Sequence, residues 1–149
     1  MYKIILLSFF ILLNFSEYSY SKDEYFRTLR NNKVNLRQGP SFEYPIKIFY
    51  KKKFLPVLVQ DTSDNFRKIR DHENNSGWIH ISQLSKKKAA IVLSGDLIMF
   101  KSDTIYSNPI VILKEGRLVK INKCKGAWCK VKSGEFKGWV KNESLWGLF

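Results

Sequence analysis

The chain has 149 residues, with 26 lysine and arginine side chains against 13 aspartate and glutamate side chains, a formal net charge of +13. A hydrophobic content of 44% can supply a core, which excludes a wholly disordered chain, and the length excludes a large multidomain enzyme. Two cysteines are too few for a disulfide-dense scaffold, and two histidines supply a Cys/His zinc site poorly.

The N-terminal segment has the pattern of a secretory signal peptide. One cation precedes about a dozen mostly apolar residues, 4–15, whereas a bilayer span needs about 20. Ser19 and Ser21 place small residues just before a cleavage site that precedes Lys22. We therefore expect residues 1–21 to be a signal peptide and the chain to be exported to the periplasm. An uncleaved membrane anchor is the alternative.

The rest of the chain contains an internal sequence repeat, and such a repeat indicates a structural unit that occurs more than once. The aligned segments are residues 34–37 with 98–101 and 45–46 with 109–110, both at an offset of 64, and residues 77–79 with 138–140, at an offset of 61. The offset shrinks in predicted loops, where deletions are tolerated. The repeat predicts two domains, residues 22–85 and 86–149.

Each repeat predicts short β-strands. Leu55, Val57 and Val59 recur at period 2, and Val119 and Ile121 do the same in the second repeat. Clusters of turn-forming residues separate such segments. The first strands are predicted at residues 25–29 and 91–93, and residues 85–90 join the repeats. About five short strands in each repeat favour a small barrel, because closure leaves no exposed sheet edge. The predicted fold class is all-β.

The opening of the first repeat, Val34-Asn35-Leu36-Arg37-Gln38-Gly39-Pro40-Ser41, resembles that of bacterial SH3-like (SH3b) domains. Residues 77–79 and 138–140 are similar to the Gly-Trp-Val strand of that family, although residues 102–104 depart from its opening turn. The whole arrangement resembles exported tandem SH3-like proteins of alphaproteobacteria, which end in a similar Leu-Trp-Gly segment. The resemblance implies two tandem SH3-like barrels after a signal peptide, and a non-catalytic binding module often associated with the cell wall.

Aromatic and cationic residues near the first loop and the Gly-Trp strands are candidates for ligand contacts. They are Arg37, Phe42, Tyr44, Tyr50, Trp78, Tyr106 and Trp139. Arg37 either pins the Gly39-Pro40 turn or grips a ligand carboxylate. Each tryptophan either packs at the barrel rim or offers a stacking platform. The loop aromatics either cover the core or line the peptide groove that SH3-like barrels place here. Tyr106 is aligned with Phe42, and the first repeat is expected to hold the better site.

Cys124 and Cys129 bracket a predicted hairpin turn at Gly126. Cross-strand cysteines there can form a disulfide in an oxidising compartment, with two buried thiols or a reactive pair as the alternatives. His72 and His80 are expected to be solvated or hydrogen-bonded rather than ligands. The sequence contains no recognisable metal cluster, cofactor motif or catalytic motif.

Positive charge is in excess in both predicted domains. Residues 22–85 hold 12 basic and 7 acidic side chains, and residues 86–149 hold 13 and 5. Such a field attracts anionic surfaces. The expected partner is peptidoglycan or its stem peptides, or alternatively another envelope protein, and an anionic envelope surface is a further candidate. Nucleic acid is not an expected partner of an exported chain. No enzyme activity is expected, because two barrels use all of residues 22–149.

Overall fold

The computed structural model describes residues 23–148, so the predicted signal peptide, residues 1–21, lies outside the described residues. The strands form two seven-stranded antiparallel sheets, and the helical residues described are two single-turn 3-10 segments, Ile81–Gln83 and Asn142–Ser144. The predicted all-β fold is confirmed.

The two sheets have the same strand order. The first contains β1 (Tyr25–Leu29), β2 (Val34–Arg37), β3 (Ile46–Tyr50), β4 (Pro56–Ser63), β5 (Phe66–Arg70), β6 (Ser76–His80) and β7 (Leu84–Ser85), in the order β3-β2-β6-β5-β4-β1-β7. The second contains β8 (Ala89–Val92), β9 (Leu97–Phe100), β10 (Pro109–Leu113), β11 (Leu118–Lys125), β12 (Trp128–Ser133), β13 (Phe136–Lys141) and β14 (Leu145–Trp146), in the order β10-β9-β13-β12-β11-β8-β14.

Strand β4 differs from its predicted half-exposed pattern. Residues 56–59 are all buried, although period-2 alternation normally leaves one face in water. The second sheet accounts for this burial, because β4 packs against β8. Ile91 of β8, 1% exposed, joins the hydrophobic core of the first sheet. The two sheets therefore pack directly against each other.

The C-terminal Leu-Trp-Gly segment lies where the two sheets meet. Trp146 pairs with Ile91 and packs edge-on against Phe26, with ring centroids 4.8 Å apart. A Cβ atom on Gly147 would lie 2.6 Å from the Ala89 carbonyl oxygen. Only glycine fits at this position, which explains the last residue of the segment.

The alignment of β2 with β9 at an offset of 64 is wrong by one residue. Leu36 pairs with Ile48, and the equivalent pair in the second sheet is Met99 with Val111, an offset of 63. Met99 is fully buried, whereas Ile98 is 39% exposed. A slip of one residue exchanges the two faces of a strand, so burial decides the register.

The loop after each of these strands keeps the corrected offset. The Gln38 amide donates to the Pro45 carbonyl at 3.0 Å, and the Lys101 amide donates to the Asn108 carbonyl at 3.0 Å. The two loops therefore have the same length. Phe42 corresponds to Ile105, and the aligned partner Tyr106 corresponds to Glu43 instead.

Each sheet curls where a glycine lets two strands cross closely. Strand β6 joins β2 through the single pair Arg37–Trp78, and β13 joins β9 through Phe100–Trp139. A Cβ atom on Gly77 would lie 2.6 Å from the Arg37 carbonyl oxygen. On Gly138 it would lie 2.5 Å from the Phe100 carbonyl oxygen. The Gly-Trp pairs of the sequence are thus closure points of the two barrels.

The turn after β5 is held by a buried carboxylate. The Tyr50 hydroxyl donates to Asp71 Oδ2 at 2.8 Å, and the Asn75 backbone amide donates to Asp71 Oδ1 at 2.8 Å. Asp71 is 1% exposed. Burial, followed by the hydrogen bond to Asp71, raises the pKa of Tyr50 far above its ordinary value. This turn therefore depends on a neutral tyrosine.

We expect Gly138→Ala to destabilise the chain by about 1–3 kcal/mol, the usual cost of overpacking, because the new methyl group meets backbone oxygen that cannot move aside. Urea unfolding measures this loss. Ser76→Ala is the control, because that side chain makes no hydrogen bond within the described residues. Equal stability of both variants would contradict the closure role of the glycine.

We expect the stability gap between the parent chain and Tyr50→Phe to be about 2 kcal/mol at pH 8 and to shrink above pH 10. The hydrogen bond sets the gap at pH 8. The folded pKa of Tyr50 is raised, so its contribution is complete below the unfolded pKa of about 10 and falls by up to about 1.4 kcal/mol per pH unit above it. Urea titrations at several pH values test this. A gap that stays constant up to pH 11 would contradict it.

Candidate ligand-binding surface

An aromatic cluster occupies the outer surface of the first sheet. The ring centroids of Phe42 and Phe66 lie 5.2 Å apart, those of Phe42 and His80 lie 5.1 Å apart, and those of Phe66 and His80 lie 5.2 Å apart. Phe66 and His80 are cross-strand neighbours on β5 and β6, and Phe42 reaches them from the β2–β3 loop. Phe66 is buried beneath the cluster, while Phe42 is 64% exposed. Together with half-buried Trp78, these residues are called the aromatic face below.

Trp78 extends the aromatic face along β6. It lies between Arg37 of β2 and Lys68 of β5 in register. Residues two apart on a strand point to the same side, so Trp78 and His80 share the outer surface while Ile79 is buried in the core. The surface therefore combines apolar ring area with two neighbouring cations.

Arg37 holds the β2–β3 loop in shape. Its Nη1 donates to the Phe42 carbonyl oxygen at 3.0 Å and to the Tyr44 carbonyl oxygen at 2.8 Å. Its guanidinium carbon also lies 5.4 Å from the centre of the Phe42 ring. The Tyr44 ring packs on Gly39, where a Cβ atom would lie 2.6 Å from three ring atoms. Two roles are considered for Arg37, pinning the turn and gripping a ligand carboxylate. The contacts in the structure are those of a residue that pins the turn.

His80 and Phe66 belong to the aromatic face although neither was a candidate from sequence. The Ser82 amide donates to His80 Nδ1 at 3.3 Å, which caps the 3-10 segment and fixes the imidazole beside Phe42. The sequence did contain a signal for His80, because it lies two residues after Trp78 and therefore faces the same side of the strand. Phe66 occupies the position in the first repeat that Trp128 occupies in the second. That correspondence was the only sequence signal that Phe66 lies on this surface.

Tyr50 is not part of this surface. It was a candidate because it follows the aromatic loop in sequence, but it is 8% exposed and its hydroxyl is bonded to buried Asp71. It lies at the end of β3, where Tyr50 pairs with Val34 in the core. Its role in the structure is to hold the turn after β5.

The two candidates in the second copy do not form an equivalent cluster. Tyr106 is 91% exposed at the tip of its loop. Trp139 is half-buried, pairs with Phe100, and has Lys123 Nζ 5.7 Å from a ring centre. Phe100 stands where the first copy has Arg37, so within residues 86–148 the second loop lacks the guanidinium that pins the first. Trp139 lies beside a ring pair within residues 86–148, Phe100 with Trp128 at 5.7 Å, so the loop aromatic Phe42 that reaches its cluster is what distinguishes the first copy.

Cys124 and Cys129 form a disulfide, which confirms the predicted pairing. They are directly opposite on β11 and β12, with Cα atoms 4.0 Å apart. The bond closes a loop of few residues, so it restrains the hairpin locally rather than the whole fold.

Among residues 23–148, no group of three or more histidine, cysteine, aspartate or glutamate side chains is placed to hold a metal ion. In the same part of the chain, no helix has the length and apolarity to cross a membrane.

Comparison with known proteins agrees with the repeated barrels. The family model of the bacterial SH3 domain matches residues 30–86 and 104–147. The chain belongs to the bacterial SH3 domain family. The presence of two tandem copies of this domain supports, in general terms, a cell-wall binding module. The Gly77 and Gly138 crossings are thus closure points of two bacterial SH3 barrels.

No curated protein matches the chain. Solved structures similar to it include NlpC2 of Trichomonas vaginalis, at 12% identity and a TM-score of 0.38, and NlpC1 of the same organism, at 11% identity and a TM-score of 0.38. The matches cover 86% and 85% of this bacterial SH3 protein and 49% and 47% of those chains, so it spans about half their length. A likeness this weak has no bearing on function.

We expect Arg37→Met to loosen the β2–β3 loop without unfolding the chain, because it removes two hydrogen bonds to loop carbonyls. Hydrogen exchange of the Gln38 amide, which closes the loop, should become about tenfold faster. The Lys101 amide, which closes the matching loop of the second copy, is the internal control and should not change. Equal acceleration at both amides, or at neither, would contradict the pinning role.

Proposed function

We propose that this chain is an exported, non-catalytic binding module of the cell envelope, and that the aromatic face of its first copy binds the stem peptides of peptidoglycan. Family membership supports a cell-wall binding module in general. The observation that carries the proposal is the convergence of Phe42, Phe66, Trp78 and His80 on one exposed surface.

The chemistry of the aromatic face suits an extended peptide. Aromatic-lined surfaces on small β-domains bind extended peptides because flat rings contact them at little cost in side-chain entropy. Phe42 is mostly exposed and is held by neighbours, so little ordering is needed on binding. Lys68, beside Trp78, supplies a cation for the carboxylates of wall peptides. Arg37, already bonded to the loop, acts mainly by fixing the surface.

Export is part of the proposal. The apolar segment at residues 4–15 and the small residues before Lys22 support secretion to the periplasm. A periplasmic location brings the chain to peptidoglycan and separates it from cytosolic nucleic acid.

Docking on another envelope protein is the second candidate. Strand β10 is an edge strand of its sheet, and Ile110 and Ile112 on it are 40% and 51% exposed. Exposed apolar edge strands pair readily with another chain. This observation favours a protein partner at the second copy.

Sedimentation of residues 22–149 with purified wall sacculi across a salt series tests the proposal. We expect binding that persists at high salt, and about tenfold weaker binding for Phe42→Ala, a typical loss for an exposed aromatic anchor. Tyr106→Ala is the matched control, because that side chain is at the tip of the other loop, and it should change binding less than twofold.

Two results would contradict the proposal. Equal losses in the two variants would mean that the aromatic face is not the site. Binding that disappears with salt would mean that net charge alone attracts the chain to the wall.

A further inference from the structure

The outer surface of the second sheet carries an array of lysines on β11, β12 and β13. These residues, called the lysine face, are Lys120, Lys123, Lys125, Lys130, Lys132, Lys137 and Lys141, and all are exposed. Buried Cys129, Val131 and Val140 alternate with them along the strands, so the lysines project away from the core. More than half of the basic residues of the second copy lie on this one surface.

The strand pairing places these like charges side by side. Lys132 lies between Lys120 and Lys137, and Lys130 lies directly opposite Lys123. Like charges directly opposite each other destabilise a sheet. An arrangement that weakens the fold is expected where an external partner supplies the opposite charge.

Among the residues that the structure describes, acidic side chains do not neutralise the lysine face. The sequences of β11, β12 and β13 contain no aspartate or glutamate. Asp103 approaches Lys125 at 3.4 Å, but an exposed ion pair of this kind contributes little. A groove of about 540 Å³ between the two sheets opens beside Lys123, and residues 86–88 add three further lysines to its lining. The positive field therefore extends past the sheet.

The first copy shows that the fold does not need these lysines. The corresponding positions of the first sheet, given by the same strand pairings, hold Leu58, Asp61, Ser63, Lys68, Arg70, Ser76 and His80. Two of the seven are basic and one is acidic. The same barrel thus carries an aromatic surface in one copy and a cationic surface in the other.

The array extends in two dimensions. Neighbouring strands lie about 4.8 Å apart and alternate residues about 6.8 Å apart, so three strands and three rows cover roughly 10 Å by 14 Å. A linear polyanion would use a single row of cations, whereas a charged sheet of head groups would use all rows. The geometry favours a planar anionic surface.

Apolar and aromatic side chains adjoin the lysine face. Trp128 lies between Lys125 and Lys141, and Trp139 lies beside Lys130. Ile98 and Ile112, directly opposite each other on β9 and β10, are 39% and 51% exposed on the continuation of this outer surface. Surfaces that bind at a lipid–water interface typically combine tryptophan and lysine with exposed aliphatic residues.

We propose that the lysine face of the second copy binds the surface of an anionic phospholipid bilayer. Lysine ammonium groups attract the phosphate-bearing head groups, and the adjoining Trp and Ile side chains contact the interfacial region. This site is separate from the aromatic face of the first copy, so it does not depend on the ligand proposed there.

Co-sedimentation with lipid vesicles at 100 mM salt tests the proposal. The protein is residues 22–149, which contain every described strand, and the vesicles are phosphatidylcholine alone or with about 30% phosphatidylglycerol. We expect binding only to the anionic vesicles. Combined Lys123→Gln, Lys130→Gln and Lys137→Gln should weaken it about 100-fold, from about fivefold for each lysine near an anionic surface.

The matched control removes the same charge from the first copy, through Lys51→Gln, Lys52→Gln and Lys53→Gln, and should weaken vesicle binding less than threefold. Circular dichroism checks that both triple variants fold. Phe42→Ala should bind vesicles as tightly as the parent chain, and the lysine-face variant should bind wall sacculi at high salt to the same extent as the parent chain. These arms separate failure of this proposal from failure of the proposed function.

Three outcomes would overturn the proposal. The first is no binding to anionic vesicles. The second is equal weakening by the two triple variants, which would assign the attraction to net charge. The third is tighter binding to a soluble linear polyanion, polyphosphate or single-stranded DNA, with the same dependence on the lysine face, which would assign the surface to a linear polymer.

Discussion

The fold depends on two places where β-strands approach too closely for any side chain. At Gly77 and Gly138, a Cβ atom would meet the carbonyl oxygen of the strand that crosses there. Each crossing closes its sheet through a single residue pair, Arg37–Trp78 or Phe100–Trp139. Closure at that pair fixes the register, and the register decides which residues lie on the outer surface. The tryptophan after each glycine is therefore held on the surface by the same constraint that closes the barrel.

Duplication of this scaffold has left two copies with one core pattern and two different exteriors. The residue that pairs with the tryptophan at the crossing is Arg37 in one copy and Phe100 in the other. This single difference changes the contacts that the neighbouring loop makes. Arg37 bonds two loop carbonyls and places Phe42 over Phe66 and His80. Phe100 packs on Trp128 instead, with ring centroids 5.7 Å apart. Surface residues diverge freely because they do not contribute to the shared core.

The sequence was sufficient for the fold class, the repeat and the disulfide, because hydrophobic periodicity, the glycine-tryptophan pairs and the cysteine spacing are local signals. It misplaced β9 by one residue, since Ile98, Met99 and Phe100 are all apolar and only burial distinguishes their faces. It placed Tyr50 at a surface because hydrogen bonding to Asp71, 21 residues away, leaves no local trace. The aromatic face and the lysine face are products of cross-strand register, which composition alone does not reveal.

We infer that the two copies present different ligand surfaces on the same barrel. The most direct measurement is an NMR titration of the isotopically labelled chain, first with soluble wall peptide fragments and then with anionic bicelles. We expect shifts at Phe42, Trp78 and His80 with the peptide, and at Lys123, Lys130 and Trp139 with the bicelles. Shifts at the same residues with both ligands would contradict it.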